Sequence, residues 1–330
     1  MRAAWYERKG PAAAVLTVDE RPTPKPEPGE LLIRVRASGV NPSDTKARGG
    51  FRGNMDMPFP LVIPHQDGAG EVVAAGSPEL AHRVGQRVWF YEAQFGRPFG
   101  AAAEYTAIPA HKAVQMPTSL SFDEGACLGV PAMTAHRAVF ADGPVKDKTV
   151  FVSGGAGAVG RYAVQFAKLG GARVIATIGS ESSAASAKAA GADLVLDRRN
   201  DDLILRTAEF TNASDGRGVD RFVEVAFGAN LPLIERLLRL NGVVATYSSD
   251  SMPDPKLPFW PLLMLDATIR LILVYRMDAS AHAAAEHAIN EALTNRALTH
   301  DIAQVFDLEH IARAHELVEG GSKGKIIVRP

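Results

Sequence analysis

The sequence predicts an α/β protein in which a smaller β-rich domain precedes a doubly wound parallel sheet. The first observation is a glycine-rich turn at residues 154–160, between a short β-branched run and an amphipathic helix. The second is the alternation of strand and helix patterns from about residue 123 onward. The third is the texture of residues 1–120, which consists of short apolar runs separated by turn signals. A chain of 330 residues is long enough for two such domains.

The β-rich region predicts four strands before residue 110. Each run contains β-branched or aromatic residues and is bounded by glycine, proline or charged turn residues, which is typical of an all-β unit. We expect this unit to be a small distorted barrel. The predicted strands cover residues 31–37, 71–75, 85–90 and 104–108.

The second region predicts six strands with helices between them, which favours a doubly wound parallel sheet. These strands cover residues 150–152, 172–177, 194–196, 221–225, 243–247 and 269–274. A last strand at 325–328 is expected to return to the first domain. The expected boundaries are therefore 1–122 for the first part of the β-rich domain, 123–268 for the doubly wound domain, and 269–330 for its last strand and the return.

The glycine turn has the spacing Gly154-x-x-Gly157-x-x-Gly160 and lies between a strand and a helix. That context is typical of a dinucleotide-binding fingerprint, because a pyrophosphate approaches backbone N–H groups that a Cβ would hold away. Ala158 and Val159 complete the candidate cofactor contacts of the turn. The alternative is a flexible glycine loop before an ordinary helix.

Composition and charge exclude several classes of function. Lys plus Arg number 36 and Asp plus Glu 37, so no net charge favours nucleic acid or an anionic membrane. The longest apolar stretch, 257–274, is broken by prolines and charges and is too interrupted to span a bilayer. Cys127 is the single cysteine, and no signal peptide is evident at 1–10, so we expect a cytoplasmic protein.

Several segments, in this order, resemble the medium-chain dehydrogenase/reductase superfamily, and within it the zinc-free NADPH:quinone oxidoreductases related to ζ-crystallin. The resemblance implies a Rossmann domain together with a GroES-like β-barrel domain, and hydride transfer from NADPH to a quinone. The segments that carry it are residues 39–45, 67–72, 84–88, 129–135, 154–160, 191–193, 218–220 and 323–325.

The resemblance also raises the question of zinc. Zinc-dependent relatives carry a cysteine where this chain has Asn41, and a His-Glu pair where it has Gln66 and Asp67. Only His65 lies near that motif, one position early, and Cys127 is elsewhere in the chain. Because zinc needs three or four Cys, His or carboxylate ligands, we expect no metal.

Two residues are catalytic candidates by the resemblance. Asn41 would lie beside the nicotinamide and the acceptor, where its amide can donate a hydrogen bond to a developing oxyanion. The alternative is that Asn41 only forms the turn before Pro42. Thr134 matches a threonine that contacts nicotinamide in the family, and its alternative is a helix cap. Lys46 is either a proton donor or a solvated charge.

The second strand of the doubly wound region indicates the cofactor. NAD enzymes usually end this strand with an acid that binds the ribose 2′-hydroxyl, and here no acid occurs before Glu181. Ser180 and Ser183 can donate to a 2′-phosphate, and Arg198 can neutralise it, which favours NADPH. The alternative for Arg198 is an exposed surface charge. Tyr247 and Lys325 complete the candidate cofactor contacts.

The expected function is metal-independent hydride transfer from NADPH to a quinone. One alternative is an NADPH-dependent enone or 2-alkenal reductase on the same scaffold, and another is a non-catalytic, crystallin-like NADPH-binding protein. A loop with Phe51, Met55, Met57 and Phe59 suits a flat apolar acceptor, a quinone or another conjugated carbonyl. The apolar strand 269–274 is expected at a sheet edge, where it would pair with a second copy in a homodimer unless a helix covers it.

Overall fold

The computed structural model describes residues 1–330, and the chain divides into two compact units. Unit 1 comprises Met1–Val130 and His300–Pro330, and unit 2 comprises Pro131–Thr299. Unit 2 is therefore inserted between two segments of unit 1. The return to unit 1 comes after residue 299, a position that the sequence patterns did not identify.

Unit 1 is built mainly from strands, with short helices at its periphery. Its first segment contains β1 (Arg2–Trp5), α1 (Ala12–Val15), β2 (Thr17–Glu20), β3 (Glu30–Val40), α2 (Pro42–Gly49), β4 (Asp67–Ala75), β5 (Arg87–Phe90), β6 (Tyr105–Pro109), β7 (Ala113–Gln115) and α3 (Phe122–Gly125). Helix α4 (Gly129–Phe140) begins at the end of this first segment. The second segment adds β14 (Ile302–Asp307), α11 (Ile311–Glu319) and β15 (Lys325–Arg329).

Strand β3 organises the larger sheet of unit 1. The strand order is β14-β15-β3-β4-β5-β7, and β6 also pairs with β3. Strand β15 runs antiparallel to β3, with Ile326 opposite Val40, so the predicted return of the last strand is confirmed. The strands predicted around 31–37, 71–75, 85–90 and 104–108 are confirmed as well. The sheet path has two ends, and closure into a barrel stays a prediction.

Unit 2 alternates strands and helices, as predicted. Its elements are the rest of α4, then β8 (Thr149–Val152), α5 (Ala158–Leu169), β9 (Arg173–Ile178), α6 (Ala184–Ala189), β10 (Leu194–Asp197), α7 (Leu203–Thr211), β11 (Val219–Glu224), α8 (Phe227–Leu237), β12 (Leu238–Thr246), α9 (Phe259–Met264), β13 (Thr268–Leu271) and α10 (Ala279–Thr294). Short 3-10 helices occur in both units at Phe51–Gly53, Pro78–Arg83, Ala110–Lys112, Glu181–Ser183, Val274–Arg276 and Leu308–His310.

The six strands of unit 2 form a parallel sheet in the order β10-β9-β8-β11-β12-β13. The order reverses between β8 and β11, and open α/β sheets bind ligands at that point. The two central strands, β8 and β11, are buried except at Asp220, and the ring centroids of Phe151 and Phe222 lie 4.9 Å apart. Strands buried on both faces read as continuous apolar runs, which is why the sequence predicted them well.

Strand β13 lies at the edge of this sheet, as expected, but it is shorter than the predicted 269–274. It ends at Leu271, and a 3-10 turn at Val274–Arg276 follows, so the apolar run continues past the strand. Arg270 of this strand pairs with Asp142, which also accepts from the buried Arg221 of β11 at 3.1 Å. None of the helices has the length and apolar character needed to cross a membrane.

Candidate functional site

The glycine turn of unit 2 forms a narrow backbone cradle before α5. Gly154 has a φ of +69°, a backbone conformation that residues with a side chain rarely adopt. A Cβ on Gly160 would lie 2.1 Å from the Gly154 carbonyl oxygen, so this position admits only glycine. Gly157 is the N-cap of α5, and Ala158, Val159 and Gly160 follow in its first turn. Their N–H groups have no partner within the helix, because the first turn of any helix lacks one.

The carboxyl end of β9 holds the turn in place. The Thr177 hydroxyl oxygen accepts from the Gly154 N–H at 3.1 Å, and the Thr177 carbonyl accepts from the Gly155 N–H at 2.9 Å. Thr177 is buried and uses its polar groups inside the protein. The end of β9 therefore supports the cradle with neutral groups and carries no acid.

The loops after β9 and β10 carry the three residues predicted for a 2′-phosphate. The hydroxyl oxygens of Ser180 and Ser183 lie 3.0 Å apart. The Arg198 N–H donates to the Ile178 carbonyl at 3.1 Å, and the Arg198 side chain lies along Gly179, where a Cβ would be 3.4 Å from Nε. Arg198 is exposed, so its guanidinium is accessible beside the two serines.

The two other unit 2 candidates lie on different elements. Tyr247 directly follows β12, and its N–H donates to the Glu224 carbonyl at 3.2 Å. Thr134 is buried and lies in the second turn of α4, which begins at Gly129. An N-terminal cap precedes the first turn, so the helix-cap alternative for Thr134 is wrong.

In unit 1, Asn41 lies at the junction of β3 and α2. It is the N-cap of α2, with Pro42 in the first turn, and its N–H donates to the Asp44 carboxylate at 2.8 Å. Its side-chain Nδ2 donates to Asp67 Oδ2 at 2.7 Å, and its Oδ1 accepts from Lys325 Nζ at 2.5 Å. Asn41 thus forms the predicted turn and also holds a buried polar contact that the turn does not require.

Buried charges cluster around this asparagine. The Asp67 carboxylate accepts from Lys325 Nζ at 3.2 Å and from the Val130 N–H at 2.9 Å. Burial raises the pKa of Asp67, and the Lys325 ammonium opposes that rise. Burial and the neighbouring Asp67 raise the pKa of Asp44 to about 7. We call Asn41, Asp67 and Lys325 the Asn41 centre.

A second buried polar chain runs beside the Asn41 centre in unit 1. His65 Nδ1 lies 2.7 Å from the Ser38 hydroxyl, and His65 Nε2 lies 2.9 Å from His315 Nε2. Arg48 donates from Nε to His315 Nδ1 at 3.4 Å and pairs through Nη2 with Glu319. Since Arg48 only donates, His315 Nδ1 is an acceptor, so His315 donates through Nε2 and His65 through Nδ1.

Both histidines are held neutral. Burial lowers the pKa of His315 to about 3, with Arg48 adding to the effect. Burial also holds the pKa of His65 well below its usual value, with His315 and Lys325 contributing. His65 has a φ of +79° and no exposed surface, so it is an interior residue of a strained turn.

The loop proposed for the acceptor is exposed at Phe51 and Met55, and Lys46 Nζ lies 5.4 Å from the Phe51 ring centroid. Trp89 and Phe90 are fully buried in β5 and are packing residues. The chain contains no group of three or more His, Cys, Asp or Glu side chains that could hold a metal ion. Lys325 Nζ contacts both Asn41 and Asp67.

Comparison with known proteins assigns both halves of the chain. The family described as "Alcohol dehydrogenase GroES-like domain" matches residues 27–118, and the one described as "Zinc-binding dehydrogenase" matches residues 158–291. A spinach protein named chloroplastic quinone-oxidoreductase homolog is 38% identical over 60% of this chain, and that alignment spans 61% of its own length. Mouse quinone oxidoreductase is 32% identical over 72% of this chain and 70% of its own length. The chain belongs to the quinone oxidoreductase family.

A solved structure supports the same assignment over the full length. A mycobacterial protein complexed with NADPH has a TM-score of 0.86 and 27% identity, and the match covers 100% of both chains. The resemblance of this chain to the zinc-free quinone oxidoreductases is therefore confirmed at the level of the family.

The sequence did not predict which buried polar side chains of unit 1 contact one another. Lys325 was grouped with the cofactor contacts, whereas its ammonium contacts Asn41 and Asp67; its role at the cofactor stays a prediction. His315 was not singled out at all. The only sequence signal for His315 is its position among the apolar residues of helix α11. That signal does not identify its partner His65, which lies on a distant segment of the chain.

The buried histidines predict a pH dependence of stability. A histidine whose pKa is lowered by folding takes up its proton mainly in the unfolded state, so its destabilising effect grows as pH falls from about 6.5 toward the folded value. His315→Gln should therefore flatten the acid branch of the free energy of unfolding, by up to about 1.4 kcal/mol per pH unit. Denaturant unfolding between pH 8 and 4 measures this slope.

Asp44 acts in the opposite direction, because its raised pKa makes the folded state hold a proton up to about pH 7. Asp44 contributes equally to all of the variants, so the free energies of unfolding of the variants are compared with one another at each pH. His111→Gln, at an exposed position, should follow the slope of the unsubstituted protein. A His315→Gln slope identical to that of the unsubstituted protein would show that His315 is not held neutral.

Proposed function

We propose that this chain is an NADPH-dependent quinone oxidoreductase that transfers hydride to a quinone without a metal ion. The observation that carries the proposal is the glycine cradle at the amino end of α5, with two serines after β9 and Arg198 after β10. Support for the acceptor comes from the family, whose mouse and spinach relatives are named for quinone oxidation–reduction. Support for the cofactor also comes from the NADPH complex of the mycobacterial neighbour.

The glycine cradle, the two serines and Arg198 of unit 2 have the donors that the pyrophosphate and the 2′-phosphate of NADPH require. The amino end of α5 carries partial positive charge, and the N–H groups of Ala158, Val159 and Gly160 are the donors for a pyrophosphate. A 2′-phosphate would accept from Ser180 and Ser183 and pair with Arg198. An acid at the end of β9 would repel that phosphate, and Thr177 and Ile178 occupy the position instead. When bound, NADPH supplies the hydride.

The remaining contacts of the cofactor are proposed on the family resemblance. Thr134 is proposed to contact the nicotinamide, and Tyr247 and Lys325 to complete the site. The position of Tyr247 at the end of β12 supports its role, since ligands of open α/β sheets bind at the carboxyl ends of the strands.

Unit 1 is proposed to supply the hydrogen-bond donor for the acceptor. A quinone is already electrophilic, so its reduction needs positioning and a donor for the oxygen that gains negative charge. We propose that Asn41 Nδ2 is this donor, because an amide nitrogen has two hydrogens and the Asp67 contact uses one.

Closure of the unit 1 sheet into a barrel and a cytoplasmic location of the protein also remain proposals.

The function is tested by following NADPH oxidation with a panel of quinones, 2-alkenals and simple aldehydes. We expect turnover with quinones, and no activation by added zinc. We expect NADPH to be used in preference to NADH, because only NADPH carries the phosphate that the serines and Arg198 recognise. Turnover of alkenals but not quinones would replace the proposed acceptor, and binding of NADPH without any turnover would favour a non-catalytic protein.

A single substitution tests the cofactor preference. Arg198→Ala should weaken NADPH binding on the order of tenfold, about 1.4 kcal/mol, and leave NADH binding nearly unchanged. Fluorescence titration of both nucleotides measures the two affinities. Arg206→Ala, which removes an exposed arginine from α7, is the matched control. An equal loss for NADH and NADPH would mean that Arg198 does not contact the 2′-phosphate.

Asn41→Ala should lower kcat on the order of tenfold and change NADPH affinity little. Loss of an oxyanion donor costs about 2.7–4 kcal/mol where that donor is central, and a reactive quinone needs less help. The measurement is kcat per folded molecule together with the unfolding midpoint. If the variant loses only stability, Asn41 acts as the helix cap and polar contact, and another residue serves the acceptor.

We further propose a homodimer formed through the edge of the unit 2 sheet. Strand β13 leaves its edge unpaired, and Leu271, Met264 and Trp260 beside it are 78%, 76% and 70% exposed. Apolar residues next to an open edge favour pairing with a second copy. Leu271→Lys should shift the mass in light scattering toward the 35.2 kDa monomer, whereas Leu205→Lys on α7 should not. A monomeric unsubstituted protein at micromolar concentration would rule the dimer out.

A further inference from the structure

Lys325 is a buried lysine at the start of β15, only 4% exposed. Its ammonium donates to Asn41 Oδ1 at 2.5 Å and to Asp67 Oδ2 at 3.2 Å. Asp67 in turn accepts from Asn41 Nδ2 at 2.7 Å. The three side chains of the Asn41 centre therefore close a ring of hydrogen bonds in which each member contacts the other two.

The chemistry of the ring allows only one orientation of the Asn41 amide. An ammonium has hydrogens to donate and no lone pair, so the amide atom that faces Lys325 is the oxygen. An ionised carboxylate only accepts, so the amide atom that faces Asp67 is the nitrogen. Both partners select the same orientation. The second hydrogen of Nδ2 is then the one available to a bound acceptor.

The backbone of unit 1 holds Lys325 in register with Asn41. Strand β15 pairs with β3, with Ile327 opposite Gly39 and Ile326 opposite Val40. A Cβ on Gly39 would lie 2.6 Å from Lys325 Cε, so the glycine leaves the space through which the lysine side chain reaches Asn41. The contact therefore depends on a strand pairing and on one position without a side chain.

We propose that Lys325 is a positioning residue for hydride transfer, which fixes the Asn41 amide with Nδ2 as the donor for the acceptor oxygen. This inference rests on the proposed function of the chain. Without Lys325, Oδ1 loses its partner and the contact to Asp67 alone holds Nδ2, so the plane of the amide turns about that single contact and the second Nδ2 hydrogen is no longer held toward the acceptor oxygen. Lys325 also balances the charge of Asp67, so the donor faces the acceptor from a centre without net charge.

The test combines Lys325→Met, Asn41→Ala and the double variant. Lys325→Met keeps the length of the side chain and removes the ammonium, and Lys25→Met at an exposed position of unit 1 is the matched control. We expect Lys325→Met to lower kcat on the order of tenfold and to raise the dissociation constant of NADPH by a smaller factor. Because Lys325 acts through Asn41, the double variant should be no slower than Asn41→Ala alone.

Two measurements keep the outcome independent of folding and of the proposed function. Lys325→Met/Asp67→Asn removes both charges and leaves no unpaired carboxylate, and we expect kcat to stay low, because an asparagine partner no longer selects one amide orientation. In ¹⁵N-asparagine-labelled protein, the Asn41 side-chain NH₂ signals should be protected from solvent exchange without any substrate. That protection should persist in Lys25→Met and be lost in Lys325→Met.

The outcomes separate the two proposals. If the unsubstituted protein reduces no quinone, the proposed function fails, while the exchange experiment still reports whether Lys325 orients Asn41. If the unsubstituted protein reduces quinones and Lys325→Met matches it, or if the two single losses multiply in the double variant, the positioning role is overturned. A loss of NADPH affinity larger than the loss of kcat would also overturn it and assign Lys325 to the cofactor.

Discussion

The carboxylate of Asp67 is the point on which the interior of unit 1 depends. It accepts from Asn41 at the start of α2, from Lys325 at the start of β15, and from the Val130 N–H near the start of α4. A buried carboxylate without partners is strongly unfavourable. These three segments are therefore held at the start of β4, where Asp67 lies. The geometry proposed for the acceptor side of the reaction follows from that requirement.

The two units place polar groups at their candidate sites in different ways. Unit 2 offers backbone N–H groups at the end of a helix and needs no buried charge to do so. Unit 1 buries charged side chains and pairs them, including Arg48, whose side chain is almost without exposed surface and contacts His315 and Glu319. A backbone cradle tolerates many side chains around it, whereas a buried ion network specifies each of its members.

Sequence patterns predicted the central strands of unit 2 and the helix after the glycine turn, because runs buried on both faces and glycine spacing are local signals. They missed β14, an edge strand in which only Phe306 is buried, and they extended β13 beyond Leu271 because the apolar run continues into a 3-10 turn. The Asn41 centre was recognised only in part. Asn41 and Lys325 are 284 residues apart, and His65 and His315 are 250 apart, so no spacing rule connects them.

The insertion of unit 2 within unit 1 has a consequence for how the protein is made. Residues 131–299 form a continuous segment, whereas unit 1 needs residues 300–330, which the ribosome adds only after that segment. Residues 38–40 of β3 are therefore synthesised long before their partner β15, and this part of the β3 edge stays unpaired during that interval. An unpaired apolar strand edge on a nascent chain is a site for misassociation and for chaperone binding. The burial of Asp67 and Asn41 is completed only when Lys325 has been added, so unit 2 can fold before the interior of unit 1 is assembled.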